Sequence, residues 1–205
     1  MSQLDLSTTL GNAWFPTPIF TASGCASSGK ELAQFFDLRD MGAIVTKSIM
    51  TKPRAGRATP RMAETPSGML NSIGLQGPGI DAFLANDLAW LVEQKARIIV
   101  SIAGETAEEF ASLARRLRGV AGISALEVNI SCPNVENRGM VFACHLESAR
   151  TVIEGVRRTI GGDLPIIAKL SPDVTDIVSI ARGVIDAGAD GLALINTVLG
   201  MVINP

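Results

Sequence analysis

Apolar residues recur along this chain in two rhythms that trade places repeatedly. Short runs, apolar or alternating, stand at Pro18–Ala22, Gly42–Thr46, Arg97–Ile102, Leu126–Asn134, Pro165–Lys169 and Gly191–Ile195. Bounded by glycine, proline or polar residues, they predict strands. Between them the spacing lengthens to that of helices. Leu32, Phe35, Phe36 and Leu38 predict a helix opening at Gly29-Lys30-Glu31, and others are predicted from Ile80 to about Lys95, Glu147 to Thr159 and Thr175 to Ala187. Thr106-Ala107-Glu108-Glu109 adds a further start, with an N-cap and an acidic first turn. Leu4–Trp14 alternates weakly around Gly11-Asn12, as a short hairpin plugging one end of a barrel would.

From Met50 to Gly79 neither rhythm holds. Four prolines and five glycines make this a long irregular segment, and its apolar Met69-Leu70 and Ile73-Gly74-Leu75 predict an active-site loop rather than a linker.

Six strands alternating with helices predict a parallel sheet with right-handed crossovers. Polar residues fall at successive strand carboxyl ends: Ser23, Lys47-Ser48, Ser101, Asn129, Lys169 and Asn196-Thr197. That is the arrangement of a (β/α)₈ TIM barrel, whose site is built on this face. The predicted class is therefore α/β, one domain over 1–205, with about six of eight units present. Since such barrels take ~250 residues, a C-terminal portion is expected to be missing; an open sheet is the alternative.

Composition narrows the function. With 47% hydrophobic and 19% charged residues the chain is an ordinary globular one, and its net charge of −2, few aromatics and absence of Tyr argue against nucleic acid. The amino terminus lacks a signal-peptide pattern and no run is long enough for a membrane span, so a cytoplasmic protein is expected. Cys25, Cys132 and Cys144 lie far apart and His145 is the only histidine. This predicts a reducing compartment and no metal site. A Cys144-His145 pair is a poor triad, because adjacent side chains seldom face each other.

The stretch Leu126–Asn134 carries the most chemistry. Leu126, Val128 and Ile130 alternate with Glu127, Asn129 and Ser131, and Pro133 must end the strand. A thiol and two carboxamides are delivered together. Lys47 and Lys169 would place positive charge over the same cavity, suited to an anionic ligand or a cofactor anionic when reduced. Asn71, Asn129, Asn134 and Asn196 both donate and accept, which suits a flat ring with alternating C=O and N–H groups. No GxGxxG follows a strand, so a Rossmann site is not supported. Cys132 can serve as nucleophile or general base; a hydrolase would want a histidine beside it, whereas a base for carbon-bound protons would not.

These segments together resemble the soluble dihydroorotate dehydrogenases, FMN enzymes of pyrimidine biosynthesis. The resemblance runs through Ala22-Ser23-Gly24, Thr46-Lys47-Ser48, Asn71-Ser72-Ile73-Gly74-Leu75, Asn129 to Asn134, Ala168-Lys169-Leu170 and Ile195-Asn196-Thr197. It implies an oxidoreductase that converts dihydroorotate to orotate, with Cys132 taking the C5 proton and hydride passing from C6 to FMN. Substrate contacts would be Lys47, Asn71, Ser72, Ile73, Gly74, Leu75, Asn129, Asn134, Asn196 and Thr197. FMN contacts would be Ser23, Lys47, Ser48, Ser101, Asn129, Lys169 and Ile195. The loop around Asn71 and Ile-Asn-Thr resemble the NAD-linked class 1B, which implies a homodimer and a partner subunit carrying FAD and a [2Fe–2S] cluster. Ser101 departs from the Asn common in that class. The resemblance also implies that the FMN phosphate is held beyond Pro205, so the 205-residue chain alone is expected to bind FMN poorly and be inactive. A dihydropyrimidine dehydrogenase-like FMN domain and a non-catalytic barrel fragment are the rival readings.

Overall fold

A computed structural model describes residues 4–131, 133–134 and 140–203, without the side chains of 133, 134 and 140. In chain order the strands are β1 (Thr8–Leu10), β2 (Ala13–Phe15), β3 (Ile44–Val45), β4 (Met62–Thr65), β5 (Gly68–Asn71), β6 (Ile98–Ile102), β7 (Ile123–Asn129), β8 (Pro133–Asn134), β9 (Met140–Val141), β10 (Ile166–Lys169) and β11 (Gly191–Ala193). The central sheet has the order β11-β10-β7-β6-β3, and every pair in it is parallel. The first predicted strand is reduced to a single parallel bridge between Phe20 and Ala43. All six predicted strand sites thus lie side by side, and among the described residues the sheet is open.

Side chains alternate across the sheet, and each face buries a different core. Outward, Ile98, Val100, Leu126, Val128 and Ile166 pack with Phe110 and Leu117 of the Ala107–Leu117 helix and with Val152 and Val156 of the Leu146–Ile160 helix. Inward, Val45 from one edge and Ile167 from near the other join Ile99 and Ala125 in one cluster around Phe15. Residues from opposite sides of a sheet meet this way only if it curls. The β1–β2 hairpin fills the hollow: Phe15 is fully buried, 4.8 Å from the ring of Phe20, and Leu10 and Ala13 pack beside it. The predicted plug is where the alternation of Leu4–Trp14 placed it.

The helix starts follow from local chemistry. Thr106 Oγ1 accepts from the Glu109 N–H at 3.1 Å, while the Glu109 carboxylate accepts from the Glu105 N–H at 2.7 Å. Asp176 caps the Ile177–Asp186 helix in the same manner.

Three expectations are corrected. The helix predicted after Gly29 is two 3₁₀ turns, Leu32–Gln34 and Leu38–Asp40, with Leu38 buried and Phe35 exposed. Asp37 causes the break: its backbone is extended and its carboxylate accepts from the Arg39 N–H at 2.9 Å, offering the chain a turn instead of a helix. The Met50–Gly79 segment is not wholly irregular, since β4 and β5 pair antiparallel within it. Strand β7 ends at Asn129 rather than at Pro133. Asn129 Oδ1 accepts from the Ser131 N–H at 3.3 Å, turning the chain before proline is reached.

Candidate active site

Register stacks the inward polar residues into rungs. Ser101 of β6 stands opposite Glu127 of β7, which stands opposite Ile167 of β10; one rung higher, Asn129 is level with Lys169 and Ala193. A hydrogen-bond chain results. Ser101 Oγ donates to Glu127 Oε1 at 2.8 Å, and the Ser48 and Ser101 hydroxyls share a bond of 2.9 Å. Asn129 Nδ2 donates to Ser48 Oγ at 3.1 Å, and Asn196 Nδ2 donates to Asn129 Oδ1 at 3.2 Å. Asn196 Oδ1 in turn accepts from the Thr197 N–H at 2.7 Å. Beside this chain, Lys169 Nζ donates to Ser23 Oγ at 2.8 Å. Ser48, Ser101, Glu127, Asn129 and Lys169 are all buried, so the bonds that join Glu127, Ser101, Ser48 and Asn129 are made away from water, where an unpaired group would be costly; the chain reaches the surface at Asn196 and Thr197.

A cavity of about 700 Å³ opens above the chain. Of the predicted residues, Ser23, Lys47, Ser48, Asn129 and Lys169 line it from the strand ends. Asn71, Ile73, Gly74 and Leu75 line it from the loop, and Asn196 and Thr197 from beyond β11. The loop's shape depends on Gly74, whose φ is +77° and whose added Cβ would lie 2.9 Å from the Arg57 nitrogen. Arg54 ties the loop down, donating to the Gly74 carbonyl at 3.1 Å and to Glu105 at 2.7 Å.

Four predicted residues sit differently. Ser101 lies beneath the cavity, as part of its support. Ser72 points its N–H at the Arg61 carbonyl, 2.8 Å away, and does not line the cavity. Ile195 lines a smaller, largely apolar cavity of about 280 Å³, together with Ser23, Glu127 and Lys169. For Asn134 only the backbone is described, paired with Met140. Cys132 lies outside the described residues.

Sequence reasoning missed Arg54, Arg57, Met62 and Met69, which also line the larger cavity. It also passed over Glu127, although the alternation in Leu126–Ser131 already put an acid on the same strand face as Asn129. That parity was the available signal.

A family model described as dihydroorotate dehydrogenase matches residues 5–204. The chain belongs to the dihydroorotate dehydrogenase family. It is similar to the dihydroorotate dehydrogenase B (NAD(+)) catalytic subunit of Geobacter sp. (strain M21), 45% identical over 204 residues, covering 100% of this chain and 66% of that protein. The corresponding subunit of Desulforudis audaxviator (strain MP104C) is 50% identical over 187 residues, covering 91% of this chain and 60% of that one. The chain thus spans about two thirds, or slightly less, of the length of these relatives. Among solved structures, a DHODH from Eimeria tenella in complex with ferulenol superposes with a TM-score of 0.77 at 19% identity, covering 97% of this chain and 61% of that one. That likeness establishes the fold: the curled sheet is an incomplete (β/α)₈ barrel.

Members of this family use FMN, and the donor set here fits such a group. Hydroxyls of Ser23 and Ser48, the Asn129 amide and the Lys169 ammonium gather on one side, while Ile195, Val45 and Ile167 give the 280 Å³ cavity an apolar lining. A flat ring that is polar along one edge and apolar over its face needs both.

Proposed function

We propose that the protein carrying this chain oxidises dihydroorotate to orotate, in the synthesis of pyrimidines. The observation that carries the reading is a pair of carboxamides lining the cavity, Asn129 buried and Asn196 half-buried. Among the described residues Asn129 and Asn196 each commit one N–H and the oxygen, which leaves each a second N–H, and both line the cavity. Two amide donors on the wall of the cavity that Lys47 also lines suit the carbonyl edge and the carboxylate of an orotate-like ring. The Asn71–Leu75 loop would enclose the ring from above.

FMN, when bound, would supply the hydride acceptor. Ser23, Ser48, Asn129, Lys169 and Ile195 would hold it, with Ser101 in support and Lys169 placing a positive charge against the ring. Cys132 would remove the proton from C5. What supports this role is its place in sequence, directly after Ser131, which lines the same cavity. Substrate contacts would be Lys47, Asn71, Ile73, Gly74, Leu75, Asn129, Asn196 and Thr197, with Asn134 and the backbone around Ser72 adjoining.

The relatives' designation as catalytic subunits of an NAD(+) enzyme supports a second subunit as the electron outlet. We assign FAD and [2Fe–2S] to that partner, and the working assembly to a cytoplasmic homodimer of catalytic subunits joined to it. Among the described residues no group of His, Cys, Asp and Glu could hold a metal ion, and no helix is long and apolar enough to cross a membrane.

The test is anaerobic flavin reduction by dihydroorotate in the full-length protein. Wild type is expected to bleach the flavin, while Cys132→Ala slows the step by roughly 10²–10⁴-fold yet still binds orotate. Bleaching at an undiminished rate would refute the base assignment; a wild type that binds neither dihydroorotate nor orotate would refute the substrate.

A further inference from the structure

Glu127 has no part in the contacts proposed above, yet it is 4% exposed and stands at the root of the site. We propose that it is a positioning residue, whose carboxylate sets the direction of the whole Ser101–Ser48–Asn129–Asn196 chain and thereby aims the two spare amide N–H groups at the ligand. The identity of that ligand rests on the function proposed above; the direction of the chain does not.

Ambiguity in such a chain lies in its hydroxyls, since Ser48 and Ser101 can each donate or accept. A carboxylate removes it, because it only accepts. With Ser101 donating to Glu127, Ser101 Oγ is left to accept from Ser48. Ser48 Oγ must then accept from Asn129, which presents Nδ2 to it. That orientation leaves Asn129 Oδ1 facing two donors, Asn196 Nδ2 at 3.2 Å and the Ser131 N–H at 3.3 Å. Asn196 is fixed in its turn, its Oδ1 taking the Thr197 N–H.

Reversing the chain would also set the Asn129 amide nitrogen against two donors, so the Ser131 N–H opposes reversal at the far end as the carboxylate does at the root. A glutamine at position 127 can donate to Ser101 and removes the constraint at the root. Glu127 reaches this place because β6 and β7 are in register at Ser101 and Glu127; Val45, Ile99 and Ile167 around it are apolar, and the Lys169 ammonium, which lines the same smaller cavity, is bonded to Ser23.

The experiment compares wild type, Glu127→Gln, Ser101→Ala and the double variant in the full-length protein. Affinity for orotate is read by titration, and the side-chain amides of Asn129 and Asn196 by ¹⁵N-asparagine NMR. Glu127→Gln is expected to weaken orotate on the order of tenfold and to move both amide signals without orotate present. Ser101→Ala, which cuts the chain one bond away, is expected to do the same, and the double variant no more than either alone. Additive losses would overturn the proposal, as would unmoved amide signals in Glu127→Gln.

Were Glu127→Gln not to fold, Ser48→Ala and Ser101→Ala decide: both must shift the Asn196 amide, and a shift in neither refutes the relay. A wild type that does not bind orotate defeats the functional reading alone, since the ligand-free amide signals still test the direction of the chain.

Discussion

The two ends of the same parallel strands are both rich in polar contacts, and they use them differently. At the amino end, Arg157 donates to the carbonyls of Gly188 at 2.9 and 2.8 Å and of Leu164 at 3.3 Å, and pairs with Asp190. Asp190 also accepts from the Ile166 N–H at 2.7 Å, and the Asn12 amide reaches the Gly162 carbonyl at 3.2 Å. Nearly all of these bonds satisfy backbone. At the carboxyl end most of the bonds run from side chain to side chain and, among the described residues, leave two amide N–H groups over. A barrel end that closes on its own backbone stabilises; one that holds side chains by other side chains can present them. Such a division of labour is expected of the barrel's two faces, and in this protein it follows from where each hydrogen bond ends.

The contrast can be broken at either end. The largest effect is expected from Phe15→Ala, which empties the plug at the amino end and should cost about 3–5 kcal/mol in urea unfolding, while folded protein keeps its affinity for orotate. Lost affinity without lost stability would reverse the assignment of roles. Arg157→Ala follows. Leaving several carbonyls and a carboxylate without their partner should cost about 2–3 kcal/mol by the same measurement, again without moving the orotate titration.

At the other end the outcome inverts. Lys169→Met removes the ammonium that faces the expected flavin site and is predicted to weaken FMN about tenfold or more, read by fluorescence on release of the cofactor. Its effect on unfolding should stay near ~1 kcal/mol, because a buried charge is replaced by an apolar side chain of similar length.

The smallest effect belongs to neither end. The Arg39 side chain, and next its backbone N–H, hold the Asp37 carboxyl at about 2, below the ordinary 3.8. A lowered carboxyl pKa favours the fold above the ordinary value, and that contribution is lost as the pH falls through about 2. Since Asp37 is exposed, Asp37→Asn should alter only the foot of an acid-unfolding curve in that window. An altered unfolding curve near neutrality would refute the assignment.

The alternation of apolar residues, the caps at Thr106 and Asp176 and the polar strand ends were all readable along the chain, because each depends on neighbours a few residues away. From them followed the order of strands, the hairpin plug and the position of Lys47, Asn129, Lys169 and Asn196 on one face. Where local reading failed, a local competitor had been overlooked: Asp37 bonding its own backbone turned an apolar run into two short turns, and Asn129 did the same to the end of β7.

What the tertiary structure alone decided is which inward residues share a rung. Parallel strands are joined by long crossovers, so no turn fixes their register, and nothing in the sequence announces that Glu127 meets Ser101 while Asn129 stands level with Lys169. The sequence determined that an acid and an amide face the barrel's interior two positions apart on one strand. Only the curl and register of the sheet, set by packing on both its faces, made one the foundation and the other the contact.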